Sequence, residues 1–411
     1  MSGAYLETAV GIAESVAEAA IWSDSRCSWV GGMPEEGPLG LTMTYSSFGP
    51  DLYGGTAGVA LALAEVAAVA ESGKLRRTAL GAVEHALARA HEVPDPGRLG
   101  AYGGRLGIAL AAARVGMRLE ESGLADRAFA LAREIDTSSE PLEHDLLSGR
   151  AGGILALLAL RALGGGDAML ERAADLGDGL LGTAVANGDA LSWPSPSFPD
   201  QRHLTGLSHG AAGIGLALLE LFAANGEERY RSAAEGAFAY ERSLYDPTAR
   251  NWPDLREIAF RRRPADAPPP YAVFWCHGAP GIALSRLRAC ELDPQAIYGD
   301  EARLALETTA ASCRAELGVG NYSLCHGLAG NAEALREGRD VLGAQAEQLV
   351  RAAAYAGIEA YGRDPRSWPV GVFDGTTDSL FLGRAGTALF YLRLHDPSVP
   401  SLLLLRPESF G

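Results

Sequence analysis

Apolar runs of alanine, leucine, isoleucine and valine recur along the 411 residues, each opened by Gly-x-x-Gly and each followed by a more polar stretch. The seven copies are Gly55–Gly58, Gly104–Gly107, Gly149–Gly152, Gly210–Gly213, Gly278–Gly281, Gly327–Gly330 and Gly383–Gly386. Their first glycines are 49, 45, 61, 68, 49 and 56 residues apart. A motif at such a period signals a repeat architecture whose single unit cannot bury its own apolar face. The run Val59-Ala-Leu-Ala-Leu-Ala is apolar on nearly all sides, the pattern of a helix covered by neighbours. The polar stretches, such as Leu75 to His91 and Glu301 to Leu317, carry apolar residues at helical spacing and read as amphipathic outer helices. The glycines mark places where backbone must approach closely. An all-α fold is expected: seven inner and seven outer helices closing into a double-layered α/α toroid. Inner-helix N-termini and the loops before them would then converge on a central cavity at one end.

Residues 1–50 read as a helix and an irregular lead-in packed on the barrel, and residues 51–411 as the toroid, with no linker dividing the chain. Two stretches break the rhythm. Gly182 to Ser208 contains Trp193-Pro194, Pro196 and Pro199; Tyr240 to Phe274 contains Trp252-Pro253, Arg261 to Pro264 and Pro268 to Pro270. Proline-rich loops of this length are usually functional rims, and both are expected around the mouth of the barrel.

Composition narrows the function. A net charge of −16 argues against nucleic acid and against an anionic membrane surface, and leaves room for a cationic peptide. No apolar run reaches the roughly 18 residues that a membrane span requires; Glu65 and Arg161 interrupt the two longest candidates. Five cysteines, Cys27, Cys276, Cys290, Cys313 and Cys325, are too sparse for a disulfide framework, and the N-terminus lacks a basic signal region. Both points suit reduced thiols in the cytoplasm.

Two of the seven loops carry a soft ligand before their glycine: Trp275-Cys276-His277-Gly278 and Leu324-Cys325-His326-Gly327. Cys276, Cys325 and His326 together make a zinc ligand set with one position left open for water or substrate. Cys290 and Cys313 fall inside helical patterns and read as core; Cys27 receives no role. His209 holds the equivalent position before the fourth Gly-x-x-Gly and is a candidate for proton transfer. Asp145, four residues before Gly149, could orient a histidine, take a proton, or cap the third inner helix. His277 and Trp275 flank a candidate ligand, so each could support the ligands or touch substrate.

These strings, with Leu207-Ser-His-Gly-Ala-Ala-Gly213 and Asp145-Leu-Leu-Ser-Gly149, resemble the lanthionine synthetase C-like cyclases over about Asp51 to His395. The resemblance implies an α/α toroid with a central Zn²⁺ held by Cys276, Cys325 and His326. It implies addition of a peptide cysteine thiol to dehydroalanine or dehydrobutyrine, forming a lanthionine or methyllanthionine ring in a ribosomally made precursor peptide. His209 would protonate the resulting enolate and Asp145 would assist. Two departures stand out. Some stand-alone members carry an arginine four residues before the first zinc cysteine; Ala272 stands there in this chain, and Arg256 or Arg261 to Arg263 could substitute. The 49 residues between Gly55 and Gly104 leave no room for the inserted peptide-binding domain of some relatives. No kinase, lyase or dehydratase region is present, so dehydration is expected from separate proteins.

Other readings compete with this one. The same residues could add an external thiol such as glutathione to dehydroamino acids, or the protein could be a non-catalytic scaffold for a precursor peptide. An inverting glycosidase would need paired carboxylates. Asp145, Asp374 and Asp378 are available for that role, but the reading leaves both Cys-His-Gly strings unexplained.

Overall fold

A helix begins on the residue after the first glycine of every Gly-x-x-Gly. The computed structural model describes residues 2–37, 40–197, 199–256, 269–372 and 375–411; Arg261 to Pro264, Pro268 and Asp374 lie outside them. The inner helices are α2 (Thr56–Ala70), α4 (Arg105–Arg118), α6 (Arg150–Leu160), α8 (Ala211–Asn225), α10 (Ala279–Leu292), α12 (Leu328–Glu337) and α15 (Arg384–His395). A Cβ on the second glycine of each copy would overlap the carbonyl oxygen six residues earlier, that of Trp275 for Gly281 and of Leu324 for Gly330. The glycine therefore lets each incoming loop lie back across the first turn of its own helix.

Outer helices α3 (Gly73–Ala88), α5 (Ser122–Glu134), α7 (Ala168–Thr183), α9 (Glu228–Ser243), α11 (Ala296–Glu316) and α14 (Ala344–Tyr361) follow their inner partners, the last after a short α13 (Arg339–Leu342). The seventh does not follow. No helix of comparable length succeeds α15; its cover is α1 (Ser2–Glu18), from the other end of the chain. The Tyr5 ring lies 6.2 Å from Tyr391 on α15, and Ala9, Ile12, Ala13 and Val16 are buried there. What reads as a lead-in helix is the outer layer of the last repeat. The architecture is a closed α/α toroid.

The expected irregular segment after α1 holds two antiparallel hairpins, β1 (Ile21–Ser23) with β2 (Arg26–Ser28) and β3 (Val30–Gly37) with β4 (Gly40–Ser47). Trp29 anchors them, fully buried with its indole N–H donating to Val16 O at 2.8 Å. A third hairpin, β5 (Val185–Asn187) with β6 (Ala190–Ser192), opens the first proline-rich loop. No helix among the described residues is long and apolar enough to cross a membrane.

The inner helices are not wholly apolar. Seven residues past each second glycine stand Glu65, Arg114, Ala159, Glu220, Arg288, Glu337 and Arg393. Neighbours pair across the helix gaps: Arg114 with Glu65 at 2.6 Å, Arg288 with Glu220 at 2.6 Å and Arg393 with Glu337 at 3.2 Å. Alternating sign at one register lets these charges be buried, because each finds a partner on an adjacent helix.

At the other end of the inner helices the loops form a second ring, made of backbone. Its members stand two residues before each first glycine: Tyr53, Tyr102, Leu147, Ser208, Cys276, Cys325 and Phe381. Tyr53 N–H donates to Tyr102 O at 2.9 Å, Gly103 N–H to Leu147 O at 2.9 Å and Leu147 N–H to Ser208 O at 3.0 Å. Ser208 N–H donates to Cys276 O at 3.2 Å, Trp275 N–H to Cys325 O at 3.1 Å and Cys325 N–H to Phe381 O at 2.9 Å. Phe381 N–H closes the circle on Tyr53 O at 3.0 Å. Each loop thus hands its backbone groups to the next, which satisfies buried polar atoms and fixes where each following side chain stands.

Candidate metal centre

The backbone ring brings the chemistry of repeats four to six to adjacent places. Cys276 and Cys325 occupy neighbouring ring positions, and His326 follows Cys325 directly. Their ligand atoms lie within 4.8 Å of one another; His326 Nε2 is 3.6 Å from Cys276 Sγ and 3.7 Å from Cys325 Sγ. Tetrahedral zinc with sulfur and nitrogen ligands at its usual bond lengths places such atoms roughly 3.5–3.8 Å apart. Both thiols are buried and unbridged, and His326 rests edge-on against Phe274, ring centroids 5.1 Å apart. The donor set and its spacing fit zinc.

The two thiols are displaced in opposite directions. The hydrogen bond from Cys325, with His326 and His277 nearby, outweighs burial and holds Cys276 well below the usual thiol range. Burial and the Cys276 charge push Cys325 far above it. A cation here would favour ionisation of both.

His209 stands one ring position away. Its Nδ1 lies 2.6 Å from Asp145 Oδ2, and the other carboxylate oxygen accepts the Ser148 N–H at 2.7 Å. Asp145 therefore both orients a histidine and ties the loop that leads into α6. Burial works to depress the His209 pKa, but the Asp145 hydrogen bond and charge outweigh it, and the net displacement is upward. Glu241 on α9 holds the His209 loop, which leads into α8, from outside, its Oε1 accepting Gly206 N–H and Ala212 N–H, each at 2.9 Å. Burial raises that carboxyl to about 7.

His277 stacks on His209 with ring centroids 5.7 Å apart. It is fully buried, its Nδ1 3.8 Å from Asp254 Oδ1, and burial lowers its pKa to about 4. Asp254 in turn grips Arg256, Nε at 2.9 Å and Nη2 at 2.8 Å. Burial alone would raise the Asp254 carboxyl, yet Arg256 and His277 bring it down to about 2. The Arg256 charge bears on His209, His277, Cys325 and Tyr53, and the Cys276 charge bears on Arg256. The second proline-rich loop thus brings a cation to the thiols. At Ala272 the backbone carbonyl accepts from Asn251 Nδ2 at 2.8 Å.

Trp275 is fully buried; its indole N–H donates to Leu403 O at 2.9 Å, and its ring meets Tyr102 and Phe381 at 5.2 and 4.8 Å. The first proline-rich loop reaches the mouth through Glu143, which accepts from Ser195 Oγ at 3.1 Å and Ser197 N–H at 2.9 Å. Asp378 is committed to Arg384 Nε at 2.6 Å. Cys313 is buried in the core and Cys290 half-buried against it; Cys27 is buried, Sγ 3.4 Å from Thr78 O. Sequence reasoning did not single out Asp254, Glu241 or Tyr53. Tyr53 shares the register of Cys276 and Cys325, and that register was the available signal.

Among solved structures, nisin cyclase superposes with a TM-score of 0.63 at 18% identity, covering 89% of this chain and 93% of its own. A family 76 glycoside hydrolase (mannosidase) from Bacteroides thetaiotaomicron superposes with a TM-score of 0.52 at 13% identity, covering 95% and 98%. At these identities both likenesses concern the fold. A curated relative, the Danio rerio protein described as glutathione S-transferase LANCL1, is 28% identical over 202 residues, 48% of this chain and 44% of the relative. The chain thus matches less than half the length of that relative. Residues 46–404 match the family described as lanthionine synthetase C-like protein, and with that span the chain belongs to the lanthionine synthetase C-like family.

Proposed function

We propose that this protein is a zinc-dependent lanthipeptide-type cyclase. It adds peptide cysteine thiols to dehydroalanine or dehydrobutyrine and so forms (methyl)lanthionine rings in a ribosomally made precursor peptide. Separate dehydratase or kinase and lyase proteins would supply the dehydrated Ser and Thr residues. The observation that carries this reading is the grouping of Cys276, Cys325 and His326 within 4.8 Å, one ring position from the His209–Asp145 pair. When bound, zinc would supply the positive charge that ionises a thiol in its open position at neutral pH.

The remaining work falls to the chain's own residues. The substrate sulfur forms a bond to the β-carbon, and the C=C electron pair moves toward the adjacent carbonyl as an enolate. His209, its pKa raised by Asp145, gives a proton to the α-carbon. The sulfur loses one proton and the α-carbon gains one, so the reaction is a net addition with no leaving group. Arg256 would offset charge on the enolate oxygen, taking the part of the arginine that some stand-alone members carry where this chain has Ala272. The toroid wall would limit peptide conformations and raise the effective concentration of the reacting groups.

The test is a dehydrated precursor peptide incubated with the zinc-loaded protein, followed by thiol alkylation and mass spectrometry. Loss of alkylatable thiol with no change in peptide mass supports cyclisation. The likeness to the fish protein supports a second reading, addition of glutathione, and the same assay with glutathione present separates it by a peptide–glutathione adduct. Neither outcome, in a protein that holds zinc, would leave the scaffold reading.

A further inference from the structure

Asp51 repeats the setting of Asp145. Each stands four residues before the first glycine of its Gly-x-x-Gly, and no other repeat has an aspartate there. Asp51 Oδ1 accepts Gly54 N–H at 2.7 Å, as Asp145 Oδ1 accepts Ser148 N–H at 2.7 Å. The N–H groups of Leu52 and Tyr53 both donate to Tyr102 O, each at 2.9 Å; those of Leu146 and Leu147 both donate to Ser208 O, at 3.1 and 3.0 Å. The two loops therefore meet their neighbours in the same way. What differs is the residue after the accepting carbonyl. After Ser208 it is His209, whose ring takes up the Asp145 carboxylate; after Tyr102 it is Gly103, which has no side chain to offer. Among the described residues Asp51 forms no ion pair; burial raises its pKa, and only backbone N–H groups of its own loop oppose that. Its loop lies two ring places from Cys325, by way of Phe381, as the Asp145 loop lies two places from Cys276, by way of Ser208. Around the ring, the two aspartates flank the candidate metal centre.

We propose that Asp51 is a substrate-binding residue whose carboxylate receives a basic side chain, lysine or arginine, of the peptide. The inference rests on the peptide-cyclase reading above and adds a substrate preference to it. A half-buried carboxylate with no cation of its own gains most from a partner that brings both charge and N–H donors. The net charge of −16 also favours the approach of such a peptide. A basic residue held at Asp51, with the proton donor His209 on the other flank, would set the direction in which the peptide crosses the ring.

The experiment uses two fluorescent synthetic peptides, each with one cysteine, flanked by lysines in one and by glutamines in the other. Their affinities for zinc-loaded wild type, Asp51→Asn and Gly103→His are read by fluorescence anisotropy. Asparagine keeps the acceptor for Gly54 N–H and removes the charge. A Cβ at Gly103 would lie 3.2 Å from Ser148 Oγ and 3.6 Å from Leu147 O, so a side chain can be restored there at the cost of a small shift of one hydroxyl. Wild type should prefer the lysine peptide. Asp51→Asn should weaken that peptide about 10-fold or more, the usual worth of a hydrogen bond to a charged group, and leave the glutamine peptide unaffected. Gly103→His, which gives Asp51 the partner that Asp145 already has, should remove the lysine preference with the carboxylate still in place. Equal affinities of the two peptides for wild type would overturn the proposal. So would an Asp51→Asn protein that binds both peptides equally less well, the mark of a residue that only braces its loop. Wild type that holds zinc and binds neither peptide would overturn the peptide-substrate reading itself, and this inference with it.

Discussion

His209 and Asp145, 64 residues apart in sequence, meet at 2.6 Å because the loops of repeats three and four are neighbours in the backbone ring. The contact lifts the pKa of the histidine against the effect of burial. Its raised pKa keeps an acid available near neutral pH, so activity should be full below that pKa and fall as pH rises through it. Asp145→Asn removes the hydrogen-bonding charge that lifts the pKa, and the fall should move to lower pH. His209→Ala should cost about 10²–10⁴ in turnover, the usual share of proton transfer, with zinc retained. A pH–rate profile of the three proteins, with metal content measured on each, checks this.

Cys276→Ala or Cys325→Ala should abolish stoichiometric zinc, since each leaves only two of the three proposed ligands. Elemental mass spectrometry of wild type, both single variants and the double variant is the direct measurement. Full zinc in either single variant would mean that the ligand set is wrong.

Arg256→Ala should lower turnover by about 10²–10³, the range seen when a donor to a developing oxyanion is lost, while leaving zinc content unchanged. Arg256→Lys restores the charge but not the two-pronged grip on Asp254, and should recover part of the rate. Steady-state kinetics with a dehydrated peptide would read the difference. Equal rates in all three proteins would remove Arg256 from the mechanism.

Glu241 makes stability depend on pH. Its folded pKa, about 7, lies above the ordinary value of 4.5, so the folded state binds the proton more tightly than the unfolded chain. The resulting stability is present below about pH 4.5 and is lost as pH rises through about 7, by up to about 3 kcal/mol. Urea unfolding of wild type at pH 5 and pH 8 should show this loss, and Glu241→Gln should flatten it. Equal pH dependence in both proteins would count against the assignment.

Much of this architecture could be read in the chain because its marks are local. Gly-x-x-Gly must be glycine where a loop crosses its own helix, so all seven inner helices announce themselves. Cys276, Cys325 and His326 share one register, and a closed ring converts register into proximity. The seventh outer helix was not legible in the same way: α1 carries no motif, and only the circular path makes it the partner of α15. Glu65, Arg114, Glu220, Arg288, Glu337 and Arg393 were visible but hidden by the apolar runs around them; their alternation acquires meaning only when helices become neighbours. Asp254 was the hardest, and Arg256 could be named only beside Arg261 to Arg263, because an irregular proline-rich loop has no period from which its destination follows.

The charges seven residues past each second glycine obey an arithmetic constraint. Strict alternation around a circle requires an even number of places, and this circle has seven. One place must therefore be neutral, and it is Ala159, with Arg114 and Glu220 on either side each turned to a partner on its far side. A duplication of two adjacent charged repeats would insert one acid and one base and leave that defect undisturbed. Insertion of a single charged repeat would bring a charge with no unclaimed neighbour into this buried register. By parity alone, the interior of this toroid admits growth in twos and resists growth by one.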